Sequence, residues 1–150
     1  MYLDSAIITK LLVREQDSGW FEHNLTGHPL WTSELSLAEV HSAILMKERT
    51  GHISDVERKN ALIHFQNMCD TEQVRFHPLN RLVIERAAGL LISCHPNVAL
   101  HSLDAIHVAT ALIHSRGSLC ATDRQMRAAA HRLGLPCFPE KLSETGQTTN

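Results

Sequence analysis

Apolar runs of two to five residues, each followed by a polar stop and a stretch with helical spacing, limit what this chain can become. The runs sit in MYLDS, LWTS, SLCATD and PCFP, QVRFHPL alternates apolar and polar residues instead, and amphipathic segments fill the intervals between them. Runs this short make strands that cannot pair through tight hairpins, because a helix stands between each and the next. The pattern predicts strands lying side by side in a mostly parallel sheet, with helices on both faces: a three-layer α/β/α sandwich.

The helices are read as follows. AIITKLLVRE follows Ser5, which serves as its cap, and residues 17–26 form a second helix presenting Trp20, Phe21 and Leu25. SELSLAEVHSAILMKERTG turns Leu37, Val40, Ile44 and Leu45 inward and ends at Gly51. SDVE at 54–57 is a capping box, opening a helix with Ala61, Leu62, Phe65 and Met68 inward. Further helices cover 80–94, with Leu82, Val83, Ala87, Leu90 and Leu91 inward, then 102–115, and finally RQMRAAAHRLGL, closed by Gly134. Strands are expected at 30–33, 73–79 and 118–122, besides the opening MYLD and the closing PCFP. One domain over 1–139 accounts for all of these, and 140–150 is a polar tail.

Composition narrows the function. The chain has 150 residues and a formal net charge of −2, so it does not coat nucleic acid by bulk basicity. Aromatics make up only 5% of residues, so the core is aliphatic. Cys69, Cys94, Cys120 and Cys137 include no CxxC pair, and the opening MYLDSAIITKLLVREQ is unlike a secretory leader. Free thiols in a reducing cytoplasm are expected. No apolar run approaches the roughly 18 residues of a membrane span, so no membrane partner is expected. GxGxxG and GxxxxGK[ST] are absent, which leaves the usual nucleotide sites of such sheets unsupported.

Four acids stand where open α/β sheets build their sites, at strand ends and helix starts. Asp4 ends the first strand, Asp123 follows the strand at 118–122, Glu39 lies early in the third helix, and Asp104 lies in the first turn at 102–115. Each has a local explanation. Asp4 and Asp123 can be N-caps worth about 1 kcal/mol each. Glu39 can complete a capping box with Ser36, and Asp104 can favour a helix dipole. Four at once raise another reading. Clustered carboxylates repel unless a cation joins them, and a hard divalent ion takes oxygen ligands of this kind. A histidine-ligated zinc centre from Asp104, His107 and Cys120 competes, but a further ligand at zinc spacing is missing.

The ordered segments YLDS, TSELSLAEVHSAI, LHSLDAIHVATAL and LCATDRQM…LGLPCFP closely resemble the PIN domain, and within it the VapC-type toxins, over residues 1–139. The resemblance implies an Mg²⁺- or Mn²⁺-dependent endoribonuclease of α/β/α fold. Its catalytic and metal-holding acids fall on Asp4, Glu39, Asp104 and Asp123, with Ser5 and Thr122 in support. His101 stands where many relatives carry a basic residue, so phosphate contacts are expected from Arg124, Arg127 and Arg86. The implied partners are an RNA substrate, a cognate antitoxin protein and a second copy of the chain, and Trp20, Phe21, Ile53 and Phe65 are the apolar residues available to meet them. A PIN-like module that binds RNA or protein without cutting is the alternative.

Overall fold

A computed structural model describes residues 1–114 and 117–142. The polar stretch from 143 onward lies outside the described residues. The elements run β1 (Tyr2–Leu3), α1 (Ser5–Leu12), α2 (Ser18–Leu25), β2 (Leu30–Ser33), α3 (Leu35–Arg49), α4 (Asp55–Asp70), β3 (Val74–His77), α5 (Arg81–Cys94), α6 (Ser102–His114), β4 (Leu119–Cys120), α7 (Arg124–Arg132) and β5 (Cys137–Phe138). The strands join in the order β3-β2-β1-β4-β5, and every pairing is parallel. Among the described residues no helix is long and apolar enough to cross a membrane.

Alternation along the strands separates two cores. Tyr2 and Leu119 face α5, α6 and α7, where they meet Val83, Leu90, Val108 and Met126. Their neighbours Leu3 and Cys120 face the opposite layer, with Ile7 and Ile8 of α1, Phe21 of α2, Val40 and Ile44 of α3, and Phe65 of α4. Parallel strands buried on both faces read as continuous apolar runs, which is how YL and LC read. The strands are shorter than the sequence suggests. The runs at 73–79 and 118–122 pair only over Val74–His77 and Leu119–Cys120.

Several helix faces differ from the expected ones. The inward row of α3 is Ser36, Val40 and Ile44, whereas Leu37 and Leu45 are exposed. Leu82 of α5 is likewise exposed. Phe21, Ile53 and Phe65 are core residues rather than partner-facing ones. Trp20 stacks on Phe138 with ring centroids 5.4 Å apart. These side chains anchor α2 and α4 to the sheet and leave no apolar patch of that composition for a partner.

Local devices end the helices as the sequence implies. Ser54 and Glu57 form both halves of the capping box of α4. Gly51 and Gly134 take positive φ of 74° and 72° just past α3 and α7, a conformation costly for residues with a Cβ. At α1 the cap is Asp4, not Ser5, which is the first helical residue.

Candidate active site

Strand order puts Asp4 at the centre. β1 lies between β2 and β4, so the residue after it emerges beside the ends of both neighbours. The Asp4 backbone N–H donates to the carbonyl of Cys120 at 3.1 Å, and its Oδ1 accepts from the Ile7 N–H at 2.8 Å. Asp123 repeats the device after β4: its Oδ1 accepts from the Met126 N–H at 2.7 Å and caps α7. Both acids are therefore caps, as the local reading holds. The cap uses one oxygen of each and leaves the second for other work. Asp104 lies in the first turn of α6, half-buried.

Glu39 is different. α3 begins at Leu35, which puts Glu39 beyond the first turn and rules out a capping box with Ser36. Its Oε2 accepts from the Ser5 hydroxyl in a short contact and faces His107 Nε2 at 2.7 Å. Behind this pair lies a buried polar chain. Ser5 Oγ meets Ser36 Oγ at 2.9 Å, Ser36 Oγ meets Thr32 Oγ1 at 2.6 Å, and Thr32 donates to the Leu3 carbonyl at 2.9 Å. This chain explains why a serine, and not Leu37, occupies the inward row of α3. Buried hydroxyls are tolerated when they are hydrogen-bonded.

The acids sense one another. Burial pushes Asp4 up to about 6. The Ile7 N–H and His107 oppose that shift, and the charges of Glu39 and Asp123 add to it. Burial also raises Asp104, and Asp123 raises it further. For Glu39 burial is outweighed by the bonds from His107 and Ser5, and its carboxyl stays below its ordinary range. Carboxylates are thus collected from β1, α3, α6 and the β4–α7 junction, and two of them hold protons more tightly than free carboxylates do.

Oxygen-only donors of this kind suit a hard divalent cation, whose charge would relieve the repulsion that raises Asp4 and Asp104. Among the described residues no three such side chains already stand close enough together to enclose an ion. The zinc alternative does not fit. His107 is 2% exposed with Nδ1 on the Tyr2 hydroxyl and Nε2 on Glu39, and Cys120 is buried in the opposite core.

The basic candidates separate. Arg127 is 6% exposed, and its guanidinium donates to the carbonyls of Ala121, Pro139 and Glu140 at 3.0, 2.7 and 3.2 Å. It ties β4 to the segment after β5 and is not a phosphate contact. Arg124 is exposed at the first residue of α7, beside Asp123. Arg86 is exposed on α5, and no contact among the described residues links it to the acids. Thr122 is half-buried next to Asp123.

Sequence reasoning left His107 without a role, read Ser36 only as a capping partner of Glu39, and did not find Tyr2 or Thr32. A slot of about 270 Å³ between α1 and α3 was not foreseen either. Ser5, Ala6, Thr9 and Ala43 line it, with Glu39 at one end and Lys10, Glu15 and Lys47 at the other. Glu15 pairs with both lysines, at 2.7 and 2.6 Å, and Asp17 pairs with Lys10 at 2.8 Å, so two carboxylates balance the two cations of that end.

The PIN domain family model matches residues 1–132. Ribonuclease VapC46 of Mycobacterium tuberculosis (strain ATCC 25618 / H37Rv) is 38% identical over 138 residues, covering 90% of this chain and 93% of that protein. Among solved structures, FitAcB from Neisseria gonorrhoeae superimposes with a TM-score of 0.68 at 17% identity, covering 93% of this chain and 96% of that one. Mycobacterium tuberculosis VapC20, a sarcin-ricin loop cleaving toxin, gives 0.66 at 20% identity, with 85% and 93% covered. The parallel sheet and its two helical layers agree with these likenesses: the chain belongs to the PIN domain family and, within it, to the VapC-type proteins.

Proposed function

We propose that the protein is an endoribonuclease dependent on Mg²⁺ or Mn²⁺, acting as the toxin of a type II toxin–antitoxin pair. The observation that carries the reading is the set of four acids, from four elements, at the carboxyl end of the sheet, with Asp4 and Asp104 raised by burial and by neighbouring carboxylates. Asp4, Asp104 and Asp123 would hold the cation and Glu39 would complete the set. A divalent ion held there supplies an activated water and neutralises charge on the scissile phosphate.

The chain's own residues do the rest. The caps on α1 and α7 tie one carboxylate oxygen of Asp4 and of Asp123 to a backbone N–H and leave the other oxygen of each for the site. Ser5 and His107 hold one oxygen of Glu39. Arg124, exposed beside Asp123, is the basic residue best placed to meet a flanking phosphate. The likeness to VapC46, named a ribonuclease, supports RNA as substrate. A likeness to a toxin–antitoxin complex from Klebsiella pneumoniae, at a TM-score of 0.58, supports an antitoxin partner. A homodimer and a cytoplasmic location complete the proposal, and the four unpaired cysteines suit a reducing compartment.

Incubation of the purified protein with labelled RNA in Mg²⁺ or Mn²⁺ tests the proposal. Cleavage is expected from the parent chain and is expected to vanish in Asp4→Asn and in Asp104→Asn, with folding intact by circular dichroism. Undiminished cleavage by either folded variant would refute the site. Tight RNA binding without cleavage, at any divalent concentration, would favour the binding-module alternative.

A further inference from the structure

One buried side chain touches the proposed site without belonging to its acids. His107 lies one turn after Asp104 on α6, on the face turned to the sheet, and is 2% exposed. Nδ1 is 2.8 Å from the Tyr2 hydroxyl, and Nε2 is 2.7 Å from Glu39 Oε2 and 3.3 Å from Ser5 Oγ. Two oxygens face Nε2, so that nitrogen carries a hydrogen. A bare lone pair there would repel the carboxylate. In the neutral ring Nδ1 is then the acceptor for the Tyr2 hydroxyl. The hydroxyls of Thr110 and Thr32, close to Tyr2, give their own hydrogens to the carbonyls of Ile106 and Leu3. Burial pushes the Tyr2 hydroxyl well above its ordinary range, so it retains the hydrogen it donates.

We propose that His107, held by Tyr2 with its Nε2–H toward Glu39, is a positioning residue for RNA cleavage. It holds Glu39 by Oε2 and so leaves Oε1 for the site. Glu39 needs such a hook. It is only half-buried, it comes from a different layer than Asp104, and a free glutamate side chain would sample several rotamers. The hook also couples the layers, because α6 carries both one acid of the set and the group that orients another, drawn from α3. The inference rests on the assignment of Glu39 to the proposed active site.

Steady-state cleavage of a fluorogenic single-stranded RNA in Mn²⁺ tests it, with His107→Ala, His107→Gln, Tyr2→Phe, Glu39→Gln and the corresponding doubles. His107→Ala should lower kcat about 10–100-fold with KM nearly unchanged, the usual cost of losing a partner that orients a ligand-bearing group. His107→Gln, whose amide can reach the same oxygen, should recover part of that loss, and Tyr2→Phe should lose less than His107→Ala. Neither His107→Ala nor Tyr2→Phe should lower the residual activity of Glu39→Gln, because both act only through Glu39. A structural role would instead add its loss in full.

The second readout is independent of turnover. Nitrogen-15 spectra of the metal-free protein should show His107 protonated at Nε2, with that proton's shift moving in Glu39→Gln. Additive losses, unchanged kcat in His107→Ala, or an unprotonated Nε2 would overturn the proposal. Should His107→Ala fail to fold, Tyr2→Phe and the spectra decide. Full activity in Glu39→Gln would remove Glu39 from the site and the positioning role with it. An inactive Glu39→Gln beside fully active His107 variants would remove only the positioning role. A parent chain that cuts no RNA would overturn both readings.

Discussion

Replacing Asp4 with asparagine should abolish activity and make the metal-free protein more stable. The carboxyl is 3% exposed, and burial together with Glu39 and Asp123 raises it from 3.8 to about 6. That difference, about two pH units, corresponds to roughly 3 kcal/mol against the ionised form in the folded state. Because the folded value lies above the unfolded one, the unfolded chain releases this proton first as pH rises. Stability therefore falls between pH 3.8 and about 6 and stays lowered above that window. Asparagine keeps an oxygen for the Ile7 N–H and so keeps the cap, but it has no charge to bury. At pH 8 in chelator the variant should gain about 1–3 kcal/mol, the lower values reflecting the cost of burying the amide. In a domain of this size that raises Tm by roughly 2–10 °C. At pH 4 the gain should disappear. Thermal unfolding by circular dichroism in EDTA across that range measures the effect, and added Mn²⁺ should stabilise the parent chain but not the variant. A variant less stable than the parent at pH 8, or a gain independent of pH, would refute the view that the charge of Asp4 is only partly compensated.

Other perturbations probe the rest of the molecule. Arg127→Met removes the donors to three carbonyls and should cost about 2–4 kcal/mol in urea unfolding, while RNA affinity stays unchanged apart from the loss of folded protein. Ser54→Ala breaks the capping box of α4 and should cost about 1 kcal/mol by the same assay. Partial burial alone would raise Glu15, but Lys10 and Lys47 override it and lower the carboxyl. Its contribution is therefore present above its ordinary 4.5 and lost as pH falls through the lower folded value. Glu15→Gln should flatten the acid limb of the stability profile, read as the midpoint of acid unfolding.

Element types were legible because helical and strand spacing are local properties. Faces were less so. In α3 a serine points inward and a leucine outward, and no apolar count would choose Ser36 over Leu37. The choice depends on Ser5 and Thr32, which lie in other elements. Arg127 reads as a solvent-facing cation three residues into a helix after an acid. It is buried because the segment after β5 folds back over it, and its carbonyl partners at Pro139 and Glu140 occupy a stretch that looks like a terminus. His107 was visible as a residue, but its contacts were not. Its partners Glu39 and Tyr2 lie 68 and 105 residues away in sequence.

Helix cap and member of the proposed site are compatible roles for an acid at a strand end. A parallel strand that ends where the next helix starts delivers its last residue to two places at once: the open N–H groups of that helix and the carboxyl edge of the sheet. Asp4 and Asp123 occupy that position, and each gives one oxygen to its helix. The cap holds the acid in place, and the helix N-terminus offsets part of its charge. Glu39 has no cap of its own, and it is the acid for which the fold supplies a separate hold through Ser5, His107 and Tyr2. An acid anchored by its own backbone needs no helper, whereas an acid displayed from the middle of a helix does. The buried polar chain behind α3 therefore lies where the carboxylate set would otherwise be loosest.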